Sequence, residues 1–301
     1  MPPEDHDYFC SDLGRENGAA LIGTATWGDV WFLLEHVGRW GYKAFGESNL
    51  HKEVKEYLSA IRQSEHRVRV QLVKQPASSE RQGVYFFIAQ ISELDPRLYE
   101  FQLNSYEDLL DLDLLTYAAG EAGDSAHLRP EPLFLGCVNG KRDKCCARYG
   151  LAAQKSMVKV AGDDVWQSTH IGGHRYAPNL LFFPHGVNYG RATPEETKVL
   201  VQAYQMGEIV LHNYRGRVCY PAPVNAAEYF WRAETGQRKL PGLRLEELAE
   251  SGLDRWRVRF TSMPDGDTHS LEVERRHSEH TTFVSCRGDK QKPETWFHRL
   301  A

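Results

Sequence analysis

Two segments of this chain carry residues with the chemistry of a metal centre. The first runs Cys137-Val138-Asn139-Gly140-Lys141-Arg142-Asp143-Lys144-Cys145-Cys146, and the second Ser168-Thr169-His170-Ile171-Gly172-Gly173-His174-Arg175-Tyr176. Thiolates and imidazoles are the ligands of zinc sites and of some iron–sulfur clusters. Cys137, one of Cys145 and Cys146, His170 and His174 make a four-ligand set. Zinc-knuckle cysteines usually stand about two to four residues apart. Eight residues lie between Cys137 and Cys146, which weakens zinc. Taken singly, the same residues read as buried structural thiols and core histidines.

To share a site, such residues must meet where a strand ends and a helix begins. The run 133–138 is short and apolar and predicts a strand, 145–158 predicts a helix, and 164–169 is extended. Cys137 then falls at a strand end. Cys145 or Cys146 falls at a helix start, where backbone N–H groups favour thiolates and sulfide. Asp143 reads as the cap of that helix. Gly172 and Gly173 predict a tight loop between the histidines, one that lets backbone approach a bulky group closely. Lys141, Arg142 and Arg175 flank these residues. They read as donors to sulfide, as a rim steering an acidic partner, or as solvated charge.

The wider chain reads as α/β. Residues 30–35 form an almost continuous apolar run, and 51–61 place Val54, Leu58 and Ile61 at helical spacing. Val68, Val70 and Leu72 alternate with polar residues, 84–89 and 98–103 read as strands, and a leucine-rich helix is expected from near Ser105. Residues 119–130 are polar with Gly and Pro, a linker. After it the order repeats. Residues 180–183 and 187–191 flank a Pro184-His185-Gly186 turn. Thr193-Pro194-Glu195-Glu196 then opens a helix with a capping box. From about Leu253 the chain reads as a small antiparallel meander, with a turn at Asp265-Gly266 and an edge at Thr295-Trp296-Phe297. The expected organisation is two thioredoxin-like α/β units, 1–125 without ligands and 130–240 with them, and a C-terminal antiparallel β extension, 250–301.

The segment from Cys137 to Cys146, with Gly140, Arg142 and Asp143 inside, resembles a signature of the sucrase/ferredoxin-like family. The run from Thr169 to Ala177 resembles that family's second signature. Tyr189-Gly190-Arg191 before Thr193-Pro194 is similar to its third. Cys10-Ser11, Gly23-Thr24-Ala25 and the strand at 31–35 resemble its N-terminal half. The resemblance implies a thioredoxin-like ferredoxin and a [2Fe–2S] cluster held by Cys137, Cys146, His170 and His174. Family spacing favours Cys146 over Cys145, and Cys10, Cys219 and Cys286 are read as non-ligands. Despite the family's name, no paired carboxylates suggest sucrose hydrolysis.

The function expected is one-electron transfer with a pH-dependent potential, to or from a protein redox partner, rather than turnover of a substrate. A zinc-stabilised Cys2His2 interaction module and a thiol-based redox protein are the rivals. Cys-x-x-Cys is absent, Cys137 to Arg142 is one residue short of a thiol-phosphatase loop, and 136–140 lack a nucleotide loop's Gly-Lys-Ser/Thr ending. The net charge is −5, with 41% hydrophobic and 26% charged residues and no basic block, so nucleic acid is not expected. The N-terminus does not read as a secretory signal, and no apolar run approaches the roughly 20 residues of a membrane helix. Six cysteines in 301 residues are too sparse for a disulfide scaffold. A cytoplasmic location is expected.

Overall fold

The computed structural model describes residues 8–300 except 124, 264 and 289. Residues 1–7, read above as lacking a leader, lie outside the described residues, as does Asp124 of the expected linker. Helix α1 (Cys10–Glu16) leads into strand β1 (Val30–Glu35), α2 (Lys52–Arg62), β2 (Val68–Lys74), β3 (Val84–Gln90), β4 (Arg97–Leu103) and α3 (Leu114–Ala119). The next stretch comprises β5 (Leu133–Cys137), α4 (Lys144–Ala161), β6 (Val165–Ser168), β7 (Asn179–Phe183), β8 (Val187–Gly190), α5 (Pro194–Gln205), β9 (Tyr214–Arg217) and α6 (Ala222–Thr235). Four long strands follow: β10 (Leu243–Gly252), β11 (Arg255–Ser262), β12 (Thr268–Phe283) and β13 (Gln291–Arg299).

Nine strands make one sheet in the order β4-β3-β1-β2-β6-β5-β7-β8-β9, and the last four make a separate antiparallel sheet. The two halves of the large sheet pair alike. β1 lies parallel to β2 and antiparallel to β3, which pairs with β4. β5 lies parallel to β6 and antiparallel to β7, which pairs with β8. The halves meet where β2 and β6 pair antiparallel, Val73 opposite Ser168 and Lys74 opposite Gln167. The seam is reinforced by Thr169, whose N–H donates to Leu72 O at 2.9 Å and whose Oγ1 bonds Gln71 at 2.8 Å.

Core patterning follows from this stacking. β1 is buried at every position because it lies inside the sheet. One apolar cluster draws Trp31, Leu33, Val73 and Phe87 from the first half and Leu133, Leu135, Trp166 and Leu181 from the second. Most expected elements form, and the capping box at Thr193 and Glu196 is made in both directions. The leucine-rich helix near Ser105 does not form as one element. Glu107–Asp111 is a 3₁₀ turn, Leu112 turns extended, and Asp113 caps a new short helix by accepting from Thr116 N–H. The periodic leucines fit a helix locally, but Leu109 and Leu114 reach the core from two separate turns.

Candidate metal centre

The register of the parallel pair β5 and β6 sets the site. Cys137 ends β5 directly opposite Ser168, the last residue of β6. Two residues later His170 leaves the same sheet edge. Helix α4 starts beside it, capped by Asp143, whose Oδ1 accepts from Cys145 N–H at 2.9 Å. Its buried face carries Cys146, Gly150, Ala153 and Met157, spaced as one stripe of a helix. Gly150 allows this approach, because a Cβ there would overlap the Cys137 carbonyl oxygen.

Cys137, Cys146 and His170 converge. Their ligating atoms lie within 4.8 Å of one another, with His170 Nδ1 at 3.9 Å from Cys137 Sγ and 3.6 Å from Cys146 Sγ. Cys145 points away from this group. His174 stands just outside the tight cluster, its ring 5.0 Å from that of His170 and tilted by 31°. Its Nε2 lies 3.8 Å from Asp143 Oδ2, while its Nδ1 is buried without a hydrogen-bond partner.

The thiols are unequal. Hydrogen bonds from Cys146 and then His170 hold Cys137 well below its ordinary pKa, against burial. Cys146, the donor in that pair and buried too, is pushed up. Burial lowers the His174 imidazole, with Asp143 working against it. Both shifts run toward the forms that bind metal, a thiolate at Cys137 and an uncharged imidazole at His174.

The loop bearing the histidines needs its glycines. Gly172 and Gly173 adopt φ of +109° and +70°, conformations L side chains seldom tolerate. A Cβ on Gly172 would collide with Thr26 Oγ1, and one on Gly173 would lie 2.6 Å from Arg215 Nη2. Arg215, fully buried, donates to Gly172 O at 3.3 Å and to Asn179 Oδ1, and Asn179 donates to Gly173 O at 3.0 Å. Sequence reading missed Arg215 and Asn179. A buried arginine in strand β9, itself unforeseen, leaves no local signal.

The flanking cations are placed differently. Lys141 is exposed. Arg142 lies over the Tyr42 ring at 4.3 Å, and Arg175 pairs with Glu294 at 3.5 Å. Among the described residues none of the three donates to a ligand sulfur. Cys10 and Cys286, read from the sequence as non-ligands without a partner motif, meet Cys145 and Asp143 in a second buried group. Cys219 joins neither group. The buried Cys, His and Asp side chains thus form two sets able to bind metal. No helix among the described residues is long and apolar enough to cross a membrane.

A family model described as sucrase/ferredoxin-like matches residues 21–216. Curated relatives include "Altered inheritance of mitochondria protein 32" of Meyerozyma guilliermondii, 34% identical over 99 residues, which are 29% of this chain and 35% of that protein. The protein of the same name from Debaryomyces hansenii is 33% identical over 97 residues, 29% of this chain and 36% of that one. The match thus spans about a third of the length of these curated relatives. No solved structure matches the chain at a significant level.

Proposed function

The chain belongs to the sucrase/ferredoxin-like family, and within it we propose a one-electron carrier in which Cys137, Cys146, His170 and His174 hold a [2Fe–2S] cluster. The convergence of Cys137, Cys146 and His170 within 4.8 Å carries this reading. The buried, unpartnered Nδ1 of His174 beside them fits a missing ligand bond. A binuclear cluster spreads its ligands over two irons, so all four need not lie within one ion's reach. When bound, the cluster supplies one-electron redox chemistry. The pairing shared by β1–β4 and β5–β8 supports two thioredoxin-like units, the first without ligands.

The residues set the properties of the carrier. His170 and His174 bring no charge where two further cysteines would bring two negative ones, which favours reduction, as in Rieske centres. His170 also lines a cleft, so the ring nitrogen left free by ligation can exchange a proton with water. Electron uptake then carries a proton, and the potential falls by about 59 mV per pH unit across that titration. Lys43, Lys55, Arg62, Arg69 and Arg142 line the same cleft, and no carboxylate among the described residues does. This charge suits an acidic surface on a protein redox partner. The compartment we assign is the reducing cytoplasm, since six cysteines in 301 residues are too sparse for a disulfide scaffold and suit thiols that are free or metal-bound.

Anaerobic purification with iron and acid-labile sulfide quantification tests the reading. About two of each per chain are expected, with an electron paramagnetic resonance signal on reduction. Cys146→Ser should abolish both. Protein without iron and sulfide overturns the proposal, and a potential independent of pH removes its proton coupling.

A further inference from the structure

We propose a second metal centre, of the zinc class, in which Cys10, Cys145 and Cys286 supply thiolates and Asp143 the fourth ligand. These residues come from α1, the first turn of α4 and the segment after β12. They stand 135 and 141 residues apart along the chain, yet their sulfurs meet: Cys145 Sγ is 3.6 Å from Cys10 Sγ and 3.3 Å from Cys286 Sγ. Asp143 Oδ1 is 3.9 Å from Cys10 Sγ, and all four ligating atoms lie within 4.8 Å of one another. Tetrahedral zinc with Zn–S bonds of about 2.3 Å holds its sulfurs about 3.8 Å apart. The two observed spacings fall short of that value, one by about 0.2 Å and the other by about 0.5 Å, so binding needs the Cys145 and Cys286 side chains to part slightly.

The surroundings favour bound thiolates over a greasy cluster of thiols. Cys10, Cys145, Cys286 and Asp143 are all wholly buried, whereas reactive cysteines need access to a partner. Backbone N–H groups point at the sulfurs, Cys10 N–H to Cys286 Sγ at 3.2 Å and Ser11 N–H to Cys145 Sγ at 3.4 Å. Such donors stabilise sulfur that carries charge. Asp143 accepts from Cys145 N–H, from Cys286 N–H at 2.9 Å and from Ser285 Oγ at 3.1 Å. The basic group recorded beside it among the described residues is His174, Nε2 at 3.8 Å, which burial holds toward its neutral form. A buried carboxylate so weakly paired is costly unless a cation offsets it. Its Oδ1 takes one of these bonds and keeps a lone pair for metal. Soft thiolates select zinc, copper(I) or iron–sulfur, and a carboxylate completing a four-ligand set selects zinc among them.

The consequence is structural. One ion would clamp the N-terminal helix and the β12–β13 loop onto the turn of α4 that presents Cys146. Asp143 would then touch both centres, since its other oxygen faces His174.

Element quantification on the full-length protein, purified without chelator, tests this. About one zinc per chain is expected. It should fall at least tenfold in Cys10→Ser and Cys286→Ser and stay in Cys137→Ser, whereas iron should be lost in Cys137→Ser. Zinc that follows Cys137 instead of Cys286, wild-type protein without zinc, or a Cys145–Cys286 disulfide in unreduced wild-type protein overturns the proposal. A readout on wild-type protein guards against variants that fail to fold: chelation of zinc should expose Cys10, Cys145 and Cys286 together to alkylation. If they are alkylated equally before chelation, the centre does not exist.

Discussion

Cys145 and Cys146 share a peptide bond and enter different chemistry. Successive residues of a helix point about 100° apart, so Cys146 faces His170 while Cys145 faces α1 and Cys286. Gly173 decides where His174 sits. Gly173→Ala should cost about 1–2 kcal/mol from its left-handed backbone, and the new Cβ must displace the Arg215 guanidinium. The expected outcome is folded protein with a lower melting temperature and a several-fold loss of iron per chain, read by circular dichroism and element analysis. Unchanged iron content would mean that the loop does not position a ligand.

At the scale of elements, the β7–β8 hairpin holds a pH-sensitive group far from the metal residues. His185 sits at its tip, with Nδ1 bonded to Tyr204 Oη at 2.9 Å. Burial, then the nearby Arg217, lower its pKa from 6.5 to about 4. Between these values the unfolded chain binds a proton that the folded hairpin refuses. Stability is therefore full above pH 6.5 and falls as pH drops toward 4, by about 3 kcal/mol at most. Urea titrations at pH 7.5 and 5 should show the loss, and His185→Gln should flatten it. An equal slope in the variant would remove His185 as the cause.

For the whole molecule, the shared core makes the two halves of the large sheet interdependent. Residues 1–125 alone would expose the β2 edge and the face of Trp31, Leu33, Val73 and Phe87. Such an edge invites association. The fragment is expected to aggregate when expressed alone, and to form a discrete complex on size-exclusion chromatography when expressed with 126–301. A monodisperse, folded 1–125 fragment would contradict this coupling.

Local chemistry was legible because it is written in neighbouring residues. The cap at Asp143, the capping box at Thr193 and the glycine-forced loop each depend on a few adjacent positions, whereas the alternation read in β2 is lost because Gln71, Leu72 and Val73 are all buried. The segments bearing Cys137, Cys146, His170 and His174 could be picked out for the same reason, but their meeting depends on the β5–β6 register. What spacing could not convey is contact between distant segments. The pairing of β2 with β6, the buried Arg215 under the histidine loop, and the meeting of Cys10 and Cys286 with Cys145 are all tertiary. Cys10 and Cys286 stand alone in sequence and carry no local pattern. Only the packing of α1 and the β12–β13 loop against α4 turns them into neighbours.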